Sequence, residues 1–280
     1  MKRFLNNACP DSQVVKLHRY TPHLTALELG RGWLGRPLMT VHCYLVGDTL
    51  IDCCQTNMAA AMRTFVSSHR IHQLLLTHHH EDHSGNAAMI ARLGGVSVMG
   101  HRLTADKMQH IRPIMPYQHL LWGQSRAVAV SPLPPLVAAG GFHLLPIHTP
   151  GHSKDHTVYL EQQQGWLFSG DLYLGDRIKF FRSDEKIGQQ IQSLKRVLQY
   201  DFEKLFCAHN PVLENGRERL CRKLAYLEDI NGEVQRLSTR GLPARAIIRQ
   251  LDRRQDRFVK LFTMGNVSFA NLIRSAMRAN

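Results

Sequence analysis

Thr77-His78-His79-His80-Glu81-Asp82-His83-Ser84-Gly85-Asn86 is the stretch on which the reading of this chain turns. Imidazole nitrogens and carboxylate oxygens are the donors that zinc and similar divalent ions prefer. The stretch follows Gln73-Leu74-Leu75-Leu76-Thr77, a short continuous apolar run that predicts a buried strand. His78 and His80 leave one strand-to-loop junction together. His79, between them, points the other way and is read as non-ligating. Asp82 and His83 follow where the chain turns into a helix, and they can serve a second metal. A strand–loop–helix transition can aim all four groups inward, which a straight strand cannot.

Three further donors fall just after short strand signals. They are His152 in Thr149-Pro150-Gly151-His152-Ser153, Asp171 in Phe168-Ser169-Gly170-Asp171, and His209 in Phe206-Cys207-Ala208-His209-Asn210. Gly151 and Gly170 allow sharp turns beside a crowded centre. Active sites of layered α/β folds gather at strand ends, so the shared placement is itself evidence.

Working outward, strand signals cover Val14–Tyr20, Leu24–Leu29, Thr40–Val46 and Thr49–Cys53, with Gly47-Asp48 as a tight hairpin turn. Helical spacing marks Asn57–Ser68, Asn86–Leu93 and a segment near Leu103–Ile111. Residues 112–140 hold five prolines and read as an irregular insertion with one short helix, either a wall of the site or a surface excursion. Strand signals return at Phe142–Ile147, Thr157–Glu161, Trp166–Phe168 and Lys204–Ala208. Asp184–Leu198 predicts a helix with Asp184 as its N-cap.

Beyond Asn215-Gly216, the best domain boundary, the chain reads as helical. Leu220, Leu224, Leu227, Ile230, Val234 and Leu237 predict one long amphipathic helix, with Gly241 at its C-terminal cap. Pro243 opens a second helix, and a third starts near Ser268. The expected division is therefore a domain over residues 1–215 that carries the donors and a helical subdomain over residues 216–280.

Hydrophobic residues at 44% and charged residues at 20% describe an ordinary globular chain, and 280 residues bury a sizeable core without staples. Any metal is then expected to serve chemistry rather than folding. No secretory leader and no membrane-spanning apolar run is evident, so no membrane partner is expected. The six cysteines, Cys9, Cys43, Cys53, Cys54, Cys207 and Cys221, form no CxxC pair or disulfide framework, which points to a reducing cytoplasm. The net charge of +13 is uneven: of 35 Lys/Arg and 22 Asp/Glu, 14 and 6 lie in residues 216–280, leaving 21 and 16 elsewhere. A solvated basic helix face explains this most simply; nucleic acid, an anionic substrate or a charged surface are the alternatives.

His78-x-His80-x-Asp82-His83 followed by His152, Asp171 and His209 resembles the full ligand set of the metallo-β-lactamase superfamily, over roughly residues 14–215. The resemblance implies an α/β fold, the four-layer αββα sandwich, here with a C-terminal helical extension. It implies two divalent metal ions, zinc favoured over iron or manganese. His78, His80 and His152 would hold the first, Asp82, His83 and His209 the second, and Asp171 would bridge. It further implies a metal-bridging hydroxide as nucleophile, with Asp82 and Asp171 available for proton traffic. Asp52, in Leu50-Ile51-Asp52, matches the family's early aspartate, expected to orient a ligand imidazole. Cys53-Cys54 depart from the small residues usual after it and are read as inert buried thiols. His156 is expected behind the ligands. Trp33, in a Gly-rich loop, together with Tyr173 and Lys179, are candidate substrate contacts.

The ligand set is that of glyoxalase II-like enzymes, although their glutathione-binding basic residues find no match here. Secreted β-lactamases often carry a cysteine where Asp171 stands, flavodiiron reductases carry a glutamate where His80 stands, and the long insert of RNA-processing relatives is missing. The expected function is hydrolysis of a small-molecule ester, thioester or lactone, anionic substrates included. The alternative is a nucleic-acid phosphodiesterase, ribonuclease or nucleic-acid binder using the basic C-terminal helices, with Pro243–Leu251 and Ser268–Met277 as a helix-turn-helix pair. A homo-oligomer is left open.

Overall fold

The computed structural model of the chain describes residues 13–32, 35–178, 180–251 and 256–278. It divides into two compact units, Met1–Pro146 and Ile147–Asn280.

The first unit is built on a seven-stranded sheet whose strands lie in chain order. They are β1 (Gln13–Thr21), β2 (Leu24–Arg31), β3 (Val41–Val46), β4 (Thr49–Ile51), β5 (Gln73–Leu75), β6 (Ser97–Gly100) and β7 (Ser131–Pro132). β1 to β4 run antiparallel, and Gly47 turns β3 into β4 with a φ of 57°. β4 to β7 run parallel. β3 is buried along its whole length, whereas the edge strand β1 is largely exposed and carries Lys16, His18 and Arg19. Charge on an edge strand discourages pairing with another sheet.

Five helices accompany this sheet: α1 (Ala59–Ser67), α2 (Glu81–Ser84), α3 (Ala87–Arg92), α4 (Arg102–Gln109) and α5 (Pro116–Leu121). α1 buries Met62, Phe65 and Val66, the stripe its spacing foretold, although its first turn is a 3-10 segment at Thr56–Met58. The proline-rich segment is more ordered than its composition suggests. It holds α5, β7 and β8 (Val137–Ala139), and β8 pairs antiparallel with β9 (Phe142–His148). Asn57 Nδ2 donates to the Leu121 carbonyl at 2.6 Å and Thr56 Oγ1 to the Trp122 carbonyl at 3.0 Å, which fastens the end of α5.

In the second unit β10 (Thr157–Glu161), β11 (Trp166–Gly170) and β12 (Lys204–Cys207) lie side by side. β10 and β11 are antiparallel and wholly buried, and β11 and β12 are parallel. Phe168 stacks on Phe206 with centroids 5.2 Å apart. The helices are α6 (Ile187–Val197), α7 (Gly216–Thr239), α8 (Ala244–Leu251), α9 (Arg257–Phe262) and α10 (Phe269–Met277). α7 begins at the sequence boundary near Asn215-Gly216 and buries Leu220, Leu227, Val234 and Leu237. α9 gives no periodic signal because it buries nothing; Phe258 and Leu261 are exposed.

One expected cap is not formed. α6 starts at Ile187 rather than Asp184, and the Asp184 carboxylate instead accepts from Arg182 Nε at 3.2 Å. The Ile187 N–H donates to Ser275 Oγ of α10 at 3.0 Å. A tertiary partner thus satisfies a helix-start donor that a local side chain was expected to satisfy.

Candidate functional site

In the first unit, β4 and β5 are adjacent and parallel, with Ile51 opposite Leu75. Their C-terminal ends therefore deliver Asp52 and His78 side by side, and the Asp52 N–H donates to the Leu75 carbonyl at 2.8 Å. Asp52 has a φ of 58°, the left-handed region, which costs a non-glycine residue energy. Its carboxylate offsets that cost by accepting the Thr77 N–H and the Thr77 hydroxyl, each at 2.8 Å. The same carboxylate lies 2.7 Å from His83 Nδ1. A carboxylate at Nδ1 fixes that nitrogen as the proton carrier and turns Nε2 away as the coordinating atom. His83 Nε2 lies 3.8 Å from Asp82 Oδ2, and His78 Nε2 lies 2.8 Å from His80 Nδ1. His78, His80, Asp82 and His83 are all buried.

The backbone of the signature is held from behind. Asn86 Nδ2 reaches the carbonyls of Cys53 at 2.8 Å and Gln55 at 2.9 Å. Gly85 packs so closely that a Cβ would stand 2.6 Å from the Cys54 carbonyl oxygen and 2.7 Å from the Thr56 nitrogen. Ser84 Oγ donates to the His79 and His80 carbonyls. Gln118 of α5 donates to Glu81 at 3.0 Å, so the proline-rich segment braces α2. His79 is half-buried, with its Nδ1 3.2 Å from Lys107 Nζ of α4. Burial pushes the Cys53 and Cys54 thiols well up, and both are fully buried. Neither is a nucleophile at neutral pH.

In the second unit, β11 and β12 repeat the arrangement. Gly170 pairs with Cys207, so Asp171 and His209 leave neighbouring parallel strand ends. Asp171 Oδ1 lies 3.4 Å from His209 Nε2, and Asp171 Oδ2 lies 3.3 Å from His152 Nε2. His152 Nδ1 is 3.4 Å from Glu185. Burial by itself would lower the His152 pKa, but Glu185 and Asp171 outweigh it and raise the value. His156 Nε2 accepts the Asp171 N–H at 3.0 Å, so its proton sits on Nδ1, which donates to Thr149 Oγ1 at 2.7 Å. His156 therefore positions the Asp171 backbone.

Lys223 of α7 is buried, and its Nζ donates to the Leu172 carbonyl. Burial pushes its pKa down to about 8, against the opposing pull of Glu185, Cys207 and Asp171. Cys207 Sγ donates to the Tyr173 carbonyl and accepts the His209 N–H at 3.3 Å, while burial pushes the thiol up to about 12. Gly151 packs against α6, where a Cβ would meet Gln190 N at 2.4 Å.

Tyr173 does not present its hydroxyl as a substrate contact requires. It is fully buried, and its hydroxyl donates to Asp176 at 2.7 Å and accepts from Arg219 Nε at 3.1 Å. The other two candidate substrate contacts, Trp33 and Lys179, lie outside the described residues. Sequence reasoning missed Thr77, Asn86, Glu185 and Lys223. Asn86 ends the signature stretch and was legible in principle. Glu185 and Lys223 carry no local signal, because only packing brings them to His152 and Leu172.

A metallo-beta-lactamase superfamily model matches residues 36–209. A hydroxyacylglutathione hydrolase of Legionella pneumophila is 29% identical over 172 residues, covering 59% of this chain and 59% of that protein. The chain thus spans well under two thirds of that relative's length. The lactamase-like protein nscB of Trichophyton verrucosum is 27% identical over 229 residues, covering 70% of this chain and 72% of the relative. Among solved structures, a metallo-beta-lactamase family protein from Thermus thermophilus matches with a TM-score of 0.66 at 19% identity, covering 93% of this chain and 94% of its own. A beta-lactamase domain protein from Burkholderia ambifaria matches with a TM-score of 0.67 at 18% identity, covering 93% of this chain and 88% of its own. These likenesses show the fold, with its two sheets and C-terminal helices.

Proposed function

The chain belongs to the metallo-β-lactamase superfamily, and from that premise we propose that it is a metal-dependent hydrolase with a binuclear centre, acting on a small-molecule ester, thioester or lactone. One observation carries the reading. The two oxygens of Asp171 face different imidazoles, His152 at 3.3 Å and His209 at 3.4 Å, which is the disposition a bridging carboxylate needs. The donor set fits divalent cations: buried imidazoles and carboxylates, with Asp52 fixing one imidazole. His78, His80 and His152 would hold one ion, Asp82, His83 and His209 the other, with zinc favoured. Such ions, when bound, supply Lewis acidity and bring the pKa of a coordinated water to ~7.

The chain's own residues do the rest. Asp52 holds the His83 tautomer through the 2.7 Å contact at Nδ1, and His156 holds the Asp171 backbone. Asp82 and Asp171 are the carboxylates available to hold or pass a proton. Cys53 and Cys54 are too strongly protonated for covalent catalysis, which agrees with direct attack by water. The hydroxyacylglutathione hydrolase relative favours a thioester among the three classes. The described cysteines are all free, as a reducing cytoplasm would keep them. Among the described residues no helix is long and apolar enough to cross a membrane.

The nucleic-acid reading draws on the basic charge of the C-terminal helices and on Pro243–Leu251 with Ser268–Met277 as a helix-turn-helix pair. Leu272 and Ile273 of α10 are fully buried, so this helix uses its apolar face in packing. Elemental analysis of protein purified without chelator should give two metals per chain. Asp171→Ala should lose both and abolish turnover in a panel of thioesters, lactones and phosphodiesters. A stoichiometry fixed at one, or turnover confined to phosphodiesters, would overturn the proposal.

A further inference from the structure

A second histidine–carboxylate cluster lies on the sheet of the first unit, built from residues outside the proposed ligand set. Glu28 of β2 sits directly opposite His42 of β3 and Lys16 of β1 in the ladder. His18 lies two residues further along β1, on the same face. His18 Nε2 is 2.9 Å from Glu28 Oε2, and His42 Nε2 is 3.9 Å from the same oxygen. One donor atom from each of the three residues falls within 4.8 Å of the others.

In a tetrahedral zinc shell with bonds of ~2.1 Å, ligand atoms stand ~3.4 Å apart. The observed 2.9 and 3.9 Å bracket that spacing. Rotations of the side chains about these contacts would admit an ion between the three donors. The donors are already oriented. His18 stacks on Tyr20 at 6.4 Å and His42 on Tyr44 at 6.3 Å, while Thr40 bonds the Glu28 carboxylate. Glu28 and His42 are buried, whereas the His18 side chain is 36% exposed, which leaves an open side for water and ion exchange.

Lys16 Nζ also lies 3.7 Å from Glu28 Oε2. Lys16 is the competitor for the carboxylate, and its side chain is 63% exposed and able to turn outward.

We propose that His18, Glu28 and His42 form an accessory site for a single divalent transition-metal ion of the zinc, cobalt or nickel type. The site stands independently of the hydrolase reading.

Zinc chloride titrated into the full chain, with bound equivalents read by calorimetry and indicator competition, tests it. His18→Ala and Glu28→Gln should each bind one equivalent fewer than wild type. His18 is partly exposed, so its truncation should leave the fold intact even if Glu28→Gln does not. Lys16→Ala should bind the extra equivalent severalfold more tightly, because a competing cation is gone. Equal equivalents in wild type and His18→Ala, or no tightening in Lys16→Ala, would overturn the proposal.

Discussion

The parallel pairs β4–β5 and β11–β12 both end in metal-type donors, yet they are held by different means. After β4 and β5 the scaffold is a loop. Asp52 and the Cys53 and Gln55 carbonyls, on the loop that leaves β4, are joined to Thr77, His83 and Asn86 of the signature stretch by short bonds. After β11 and β12 the scaffold is helical. Glu185, α6 and Lys223 of α7 support His152 and Leu172, and Ser275 of α10 caps α6 and donates to the Glu185 carbonyl at 3.1 Å. The first donor group is fastened by the loop of the adjacent strand, whereas the second draws on later helices. This gives the C-terminal extension a structural task.

The largest expected effect tests both scaffolds at their closest backbone approaches. Gly85→Ala drives a Cβ into the backbone of Glu81, Cys54 and Thr56, and Gly151→Ala drives one into the backbone of α6 from a φ of 134°. Each should cost about 3 kcal/mol in urea unfolding. If only Gly151→Ala destabilises, the loop after β4 does not hold the first cluster and the contrast fails.

A second test uses pH. Lys223 titrates at about 8 in the folded chain, against an ordinary 10.5. Below about 8 the ammonium is charged in both states, and its burial penalty is fully present. Between 8 and 10.5 the folded protein sheds a proton that the unfolded chain keeps, so stability rises with pH. The gain should be on the order of 3 kcal/mol. Lys223→Met should lack it, and parallel urea curves at about pH 7.5 and 10.5, on either side of that window, would show the difference. A rise of equal size in the variant would remove Lys223 from the second scaffold.

The smallest expected effect is at His79, which sits inside the signature yet faces Lys107. His79→Ala should leave metal content unchanged and alter stability by less than ~0.5 kcal/mol. Metal loss matching that of Asp171→Ala would show that the signature is not divided as drawn.

Much of the fold was legible because burial writes itself into composition. The run Leu74-Leu75-Leu76 and the period of α7 are packing patterns that survive in one dimension, and β10 matches its expected range of Thr157–Glu161. Element ends were less legible. The Asp184 cap failed because α6 starts at Ile187, whose N–H finds Ser275 of α10, and α9 was invisible because it buries nothing.

The sequence by itself determined which atoms can bind metal, because donor chemistry belongs to residue type and the donors recur after strand signals. Only the tertiary structure decided which neighbours aim them. The left-handed Asp52, the Glu185 contact with His152 and the buried Lys223 beneath Leu172 depend on strand register and helix packing. The physical reason is range: coordination preference acts within a residue, whereas orientation and proton affinity are set by groups tens of residues away in the chain.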